Sequence, residues 1–339
     1  MTWTQPPTDA DWDSLIAQLR QAESVVCVAH VSPDGDALGS AMGAALAMRA
    51  TGIEAFVSFD EDPFVLPSSL RWLPGQELLR SVDDLPPQRR AVVSFDASDL
   101  ARLGRLANIA ARAEFFGAVD HHRSYTGFGQ ISIVDVTAPA TAVLALELVD
   151  RLGADLSPDI ASCIYAGLTT DTGSFRFAGT TSGTHQIAAR LHDAGISHDE
   201  IAREVFDTAP FAAVKLLGDA IAGAQLLPTA AGGLGIVWAT VTKAQRVALG
   251  LSMDAAEPII DTIRRTAEVE VAVVIKEGDD GVWRVSSRSK GLVDLGLVCS
   301  SLGGGGHRFA AGFSSASEPA DIISQISAAI DDASPNPRV

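Results

Sequence analysis

Short, uninterrupted apolar runs alternate along this chain with longer stretches in which apolar positions recur every three or four residues. The runs at 25–29 (Val25-Val26-Cys27-Val28-Ala29), 90–95 and 114–119 have the length of buried strands and are bounded by polar residues. Residues 53–59 and 131–134 read as further strands, and the Pro-rich 62–75 as a connection. Helical spacing marks 11–21, with Trp12, Leu15, Ile16 and Leu19, and then 37–50, 100–113, 140–153 and 157–169. This alternation predicts an α/β fold, a mostly parallel sheet with helices on both faces.

The pattern then changes. From 182 to 227 it is purely helical, broken near Ala194-Gly195 and Ala209-Pro210. Beyond it come a strand at 233–241, a hairpin of 269–275 and 282–287 around Gly278-Asp279-Asp280-Gly281, and the glycine run Gly303–Gly306. The expected organisation is an N-terminal α/β domain over 1–185, a helical connector over 186–228, a smaller α+β domain over 229–333 and a flexible tail, 334–339.

Composition narrows the class. With 47% hydrophobic and 20% charged residues, the 339-residue chain is an ordinary globular protein, long enough for two cores. A net charge of −17 with only four lysines argues against gripping long nucleic acid through its phosphates. Cys27, Cys163 and Cys299 match no zinc spacing and make no disulfide framework, so a cytoplasmic setting is expected. The N-terminal segment has neither the basic region nor the apolar core of a signal peptide. No apolar run approaches the roughly 20 residues of a membrane helix, so no membrane partner is expected.

The candidate chemistry sits at strand ends. The stretch 28–40 reads VAHVSPDGDALGS, so His30, Asp34 and Asp36 lie where a strand hands over to a helix. The second strand ends at Asp96, the third at Asp120-His121-His122, and Thr170-Asp171-Thr172-Gly173 follows a helix. Any one of these also reads as a solvated turn, a helix cap or a satisfied buried histidine. Four on one edge of a parallel sheet would repel one another unless cations neutralised them. Carboxylates and imidazoles without thiolates suit Mn²⁺ or Mg²⁺ better than structural zinc. Two cations sharing a carboxylate can stabilise the charge of an in-line attack on phosphorus.

Together these motifs resemble the DHH phosphoesterase superfamily. Gly303-Gly304-Gly305-Gly306-His307, with Ala310-Ala311-Gly312-Phe313, resembles the DHH-associated C-terminal domain of the branch holding RecJ-type nucleases and the smaller nanoRNase/pAp-phosphatase (NrnA-type) enzymes. The resemblance makes 1–185 the catalytic metal-binding domain and 229–333 the substrate-binding domain, with the active site in the interdomain cleft. It implies two divalent cations, Mn²⁺ first, with Mg²⁺ or Co²⁺ as substitutes. One would take His30, Asp34 and Asp96; the other Asp36, Asp96, His121 and Asp171. Asp120 would orient an imidazole, and His122 would face the substrate phosphate and protonate the leaving oxygen.

In the substrate-binding domain, the resemblance makes Arg288 a phosphate anchor, with a surface arginine as the alternative. Gly303, Gly304, Gly305 and Gly306 would offer backbone N–H groups to an anion beside His307 and Arg308; a flexible loop is the alternative. His185, His192 and His198 read as a solvated helix face. The activity implied is hydrolysis of short nucleotides: pAp to AMP, di- to tetra-oligoribonucleotides, or cyclic di-AMP through pApA to AMP. A homodimer is also implied. Rivals are a RecJ-like single-strand exonuclease, a DHH-type inorganic pyrophosphatase (faintly suggested by Ser287-Arg288-Ser289-Lys290) and a catalytically silent nucleotide sensor.

Overall fold

The structure, a computed structural model, describes residues 5–86 and 90–333. The expected tail at 334–339 lies outside the described residues. The chain divides into two compact units between Thr208 and Ala209. Among the described residues no helix is long and apolar enough to cross a membrane.

The first unit has the expected α/β architecture. It opens with α1 (Asp9–Gln21), capped by Thr8 in a reciprocal bond with Asp11, and continues through β1 (Ser24–Val28), α2 (Gly35–Ala50) and β2 (Ala55–Ser58). After β3 (Arg90–Phe95) come the short α3 (Leu106–Ala110), β4 (Phe115–Asp120) and β5 (Ile131–Val134). The helices α4 (Thr141–Leu152), α5 (Pro158–Asp171), α6 (Ser182–Asp193) and α7 (His198–Ala202) complete it. All strand pairs are parallel, in the order β2-β1-β3-β4-β5. Every side chain of β1 and β4 is buried, which explains why these runs lack alternation. One face carries Trp12, Leu15, Leu38, Met42 and Ile164; the other carries Val26, Val92, Leu103 and Leu106.

Helices α2 and α5 cross closely because α2 presents small residues. A Cβ on Gly39 would lie 2.3 Å from the Cys163 carbonyl oxygen, backbone that cannot turn aside. Gly39→Ala is expected to destabilise the fold by about 1–3 kcal/mol through overpacking, read as a lower midpoint in thermal denaturation. Unaltered stability would show that the two helices can separate freely.

Residues 100–113 do not form the single helix their spacing predicts. A 3₁₀ turn (Leu100–Leu103) stops at Gly104, which has φ +56°, and α3 follows. Gly104 lies against Asp60, whose carboxylate accepts the Arg105 N–H at 2.6 Å. A tertiary contact thus overrides the periodicity.

The second unit begins with α8 (Phe211–Ala222). The helical pattern expected as far as 227 then ends early, because Gln225–Leu227 forms strand β6 on the sheet edge. The strands β7 (Ile236–Val241), β8 (Val271–Glu277), β9 (Trp283–Ser289), β10 (Gly305–His307) and β11 (Ala310–Ser315) complete a mixed sheet ordered β10-β11-β9-β8-β7-β6. The pair β7–β8 is parallel and the others are antiparallel. Side chains alternate between two cores, with Val271, Val273 and Ile275 on one face and Ala272 and Val274 on the other.

Candidate metal centre

Parallel pairing of β1, β3 and β4 as neighbours delivers their carboxyl ends to one edge of the sheet. His30 lies two residues beyond β1, Asp96 directly follows β3, and Asp120 closes β4 with His121 and His122 next in sequence. Asp34 caps α2, accepting the N–H groups of Asp36 and Ala37 at 3.1 Å each, and Asp171 is the last residue of α5. Asp96 has φ +60°, a left-handed conformation that aspartate tolerates better than most residues.

The two Asp96 carboxylate oxygens face different histidines. Oδ2 lies 3.7 Å from His30 Nε2, which is 3.8 Å from Asp34 Oδ2. Oδ1 lies 3.5 Å from His121 Nε2, whose other neighbours are Asp36 Oδ2 at 3.7 Å and Asp171 Oδ2 at 3.5 Å. The donor atoms of His30, Asp34 and Asp96 cluster within 4.8 Å of one another, as do those of Asp36, His121 and Asp171, and those of Asp96, Asp120 and His122. All eight residues expected on the N-terminal side are therefore gathered at one place.

Their orientation is set by the surrounding backbone. Asp36 Oδ2 and Oδ1 accept the Thr141 and Ala142 N–H groups at 2.6 and 2.8 Å, so the N-terminus of α4 holds this carboxylate. The Thr141 hydroxyl donates to Asp96 Oδ1 at 2.8 Å, and Ser40 donates to Asp36 Oδ1 at 3.2 Å. His121 Nδ1 meets the Ala138 carbonyl at 3.0 Å, and His30 Nδ1 meets the Val31 carbonyl at 2.8 Å. With Nδ1–H donated to a carbonyl, each neutral imidazole presents a lone pair at Nε2, toward the carboxylates. Asp120, fully buried, accepts the His121 N–H at 2.9 Å and faces His122 Nδ1 at 2.7 Å through the same oxygen.

The donor set fits a pair of divalent cations. The Nε2–Oδ separations exceed ordinary hydrogen bonds. They are close to the roughly 3–3.4 Å that separates adjacent ligands held about 2.1 Å from one ion. Electrostatics agrees. Burial lowers the proton affinity of His30, but bonding to Asp34 and Asp96 outweighs it and raises the pKa to about 10. Burial likewise disfavours a charged His121, yet Asp171, Asp96 and Asp36 raise it to about 10. Asp36 is pushed well up by burial and by the Asp96 and Asp171 charges. Burial takes Asp171 up to about 6, partly offset by His121. Burial also opposes ionisation of Asp96, but the His30 bond and the charges of all three histidines bring it well below the usual carboxylate range. Protons on buried imidazoles thus occupy a place that cations can take.

In the second unit Arg288 lies on β9, with one guanidinium nitrogen donating to the Ser287 carbonyl at 3.0 Å. The glycine run is an ordered turn and strand. Gly303 and Gly304 donate their N–H groups to the Ser300 and Cys299 carbonyls at the end of a helix, α11 by order of appearance after Lys243–Ala248 (α9) and Pro258–Ile263 (α10), spanning Leu295–Ser301. Those two N–H groups are committed to helix capping, so the run is not the four-donor nest its composition suggests. A Cβ on Gly304 would meet the Gly312 carbonyl oxygen at 2.1 Å, so close strand approach explains the glycine there. His307 ends β10, and Arg308 lies 3.7 Å from Asp294 with its guanidinium over the Phe309 ring.

Sequence reasoning missed Thr141, Ser40, the Ala138 carbonyl and Arg102. The first three contribute backbone or hydroxyl groups that no motif flags. Arg102 sits in the segment taken for a plain helix, yet its Nη2 lies 2.9 Å from His30 Nδ1. The histidines of α6 and α7 remain apart from the metal centre but are not merely solvated. His198 bonds the buried Tyr165 hydroxyl at 2.8 Å, His192 packs edge-on to the same ring, and His185 stacks on Phe175.

Two family models match the chain: the DHH family N-terminal domain over residues 24–168 and the DHHA1 domain over 240–333. A bifunctional oligoribonuclease and PAP phosphatase NrnA of Thermus thermophilus is 33% identical over 90% of this chain and 90% of its own. A protein of the same description from Bacillus subtilis is 28% identical over 88% of this chain and 92% of its own. An exopolyphosphatase-related protein from Bacteroides fragilis shares the fold, with a TM-score of 0.84 at 24% identity and 97% coverage of both chains. The chain belongs to the DHH family of metal-dependent phosphoesterases, in the branch whose members carry a C-terminal DHHA1 domain.

Proposed function

We propose that this enzyme hydrolyses short nucleotides with two Mn²⁺ ions, taking pAp to AMP, shortening di- to tetra-oligoribonucleotides, and opening cyclic di-AMP through pApA to AMP. The observation that carries the reading is Asp96, one carboxylate whose two oxygens face two separate donor clusters. His30, Asp34 and Asp96 would hold one cation, and Asp36, Asp96, His121 and Asp171 the other; Mg²⁺ or Co²⁺ would substitute. When bound, the pair supplies an activated water and stabilises charge developing on the phosphoryl group. His122 supplies the proton that the leaving oxygen takes as the P–O bond breaks. Asp120 keeps that proton in place: burial disfavours a charged His122, but the Asp120 charge and hydrogen bond raise its pKa above the ordinary value. Arg288, Gly305, Gly306, His307 and Arg308 would engage a second phosphate or the base, restricting substrates to short ones, while the Gly303 and Gly304 N–H groups, committed to helix capping, shape the turn that carries them. The activities named for the relatives and the low lysine count support this size limit. A reducing cytoplasm suits the three buried cysteines, none of which is in a disulfide.

The test is product analysis with Mn²⁺, offering pAp, pApA, cyclic di-AMP, a long single strand and pyrophosphate side by side. AMP from the small nucleotides, with the long strand intact, is the expected result. Rapid digestion of the long strand would reassign the enzyme as a RecJ-like exonuclease. Release of orthophosphate from pyrophosphate alone would make it a pyrophosphatase, and tight nucleotide binding without turnover a sensor.

A further inference from the structure

A carboxylate between two donor clusters has two ways to hold cations: one oxygen for each, or both oxygens on one. Aspartate itself does not choose between them, because its terminal torsion is broad and roughly two-fold. At Asp96 a hydroxyl makes the choice. The nitrogens of His30, His121 and His122 stand 3.5 to 3.7 Å from the Asp96 oxygens, whereas the Thr141 hydroxyl donates to Oδ1 at 2.8 Å, closer than any of them. A hydrogen bond to an ionised oxygen is among the stronger ones, and Thr141 is fully buried, so water does not compete for it. The bond keeps Oδ1 on the His121 side and leaves Oδ2 to His30.

Thr141 is itself firmly held. Its N–H, the first of α4, donates to Asp36 Oδ2 at 2.6 Å, and the Ala142 N–H donates to Asp36 Oδ1 at 2.8 Å. Ala140, in front of them, has no side chain able to cap the helix, so the Asp36 carboxylate takes the place of a cap. Helix α5 leaves room for this approach: a Cβ on Gly167 would stand 2.7 Å from both Asp36 Oδ1 and the Ala142 Cβ. Branching at its own Cβ then restricts where the Thr141 hydroxyl can point. One residue thus ties together the two carboxylates that face His121 Nε2, Asp36 through its N–H and Asp96 through its hydroxyl.

We infer that Thr141 is a positioning residue that keeps Asp96 shared between the two cation sites and prevents it from giving both oxygens to one. The inference rests on the two-cation reading above and adds to it the group that sets the shared mode. Two substitutions separate the hydroxyl from the packing of the side chain. Thr141→Val keeps the buried shape and removes the hydroxyl, whereas Thr141→Ser keeps the hydroxyl and removes the methyl. Both leave the backbone N–H on Asp36.

The experiment is calorimetric titration of Mn²⁺ into the wild-type protein and both variants. It is paired with electron paramagnetic resonance of the loaded proteins and with kinetics on pApA over a range of Mn²⁺ concentrations. The expected result is two Mn²⁺ ions in the wild type and in Thr141→Ser, spin-coupled through the shared carboxylate. In Thr141→Val the first ion should bind within about threefold of wild type and the second about ten- to a hundredfold more weakly. The coupled signal should be lost until Mn²⁺ is in large excess. At limiting Mn²⁺ the turnover of Thr141→Val should fall by a similar factor and recover as Mn²⁺ is raised. Two ions held by Thr141→Val as tightly as by the wild type would overturn the inference. So would a Thr141→Ser variant more impaired than Thr141→Val, the ranking that a packing role demands. A wild type that takes up a single Mn²⁺ would instead overturn the two-cation reading, and the inference with it. Circular dichroism of the metal-free variants separates these outcomes from misfolding.

Discussion

Asp96→Asn is expected to reduce kcat at least about a thousandfold while the protein stays folded, because the charge lost is one that both proposed cations would share. Asparagine keeps the volume and one carbonyl oxygen, so it can still accept the Thr141 hydroxyl, which now meets Asp96 Oδ1 at 2.8 Å. It offers no second anionic oxygen. One oxygen now faces the His30 cluster and the other the His121 cluster, so the substitution weakens both cation sites together. Mn²⁺ titration should show two weakened sites, and thermal denaturation without metal should show a midpoint equal to or above that of wild type. The second expectation follows from removing one carboxylate from a crowded, buried group. Near-normal turnover, or one intact high-affinity site, would break the two-cation account.

The second large effect is in pH. Without metal, His30 and His121 have pKa values raised to about 10, so both are protonated at neutral pH. A cation needs the Nε2 lone pair, so filling both sites must expel about two imidazole protons at pH 7. Raising the pH removes the competing proton, and affinity rises with it. The gain should be about tenfold per pH unit for each cation, continuing well above the ordinary histidine pKa near 6.5. Below about pH 6 Asp171 also becomes protonated, which steepens the loss on the His121 side. Titrations in buffers of different ionisation enthalpy count the protons released, and Mn²⁺ dissociation constants near pH 6, 7 and 8 give the slope. No proton release at pH 7, with affinity level above it, would show that these imidazoles are already neutral and preformed as ligands.

The metal centre was legible in the sequence for a simple reason. Its side chains sit where uninterrupted apolar runs stop, and a parallel sheet brings such stops together, so Asp96 and Asp120-His121-His122 could be placed on one edge before any contact was known. The supporting groups were illegible because they are backbone. The Thr141 and Ala142 N–H groups that hold Asp36 exist at every non-proline residue, and only the approach of α4 gives these two a role. The misread segments have equally local causes. Residues 100–113 keep helical spacing, but the contact between Gly104 and Asp60 breaks them. Gln225–Leu227 is too short to show a strand period and was absorbed into the helix before it. The glycine run invited a ligand-binding explanation, whereas at Gly303 and Gly304 capping and strand packing account for the composition.

The candidate donors come from four separate segments between His30 and Asp171, brought together only when β1, β3 and β4 have paired and α2 and α5 have docked. No short stretch of the unfolded chain can reproduce that arrangement, so metal has little to hold until folding is nearly complete. Cations held there would act as a late clasp, slowing the opening of a sheet they did not help to assemble, so that a loaded enzyme would gain persistence chiefly in its unfolding rate.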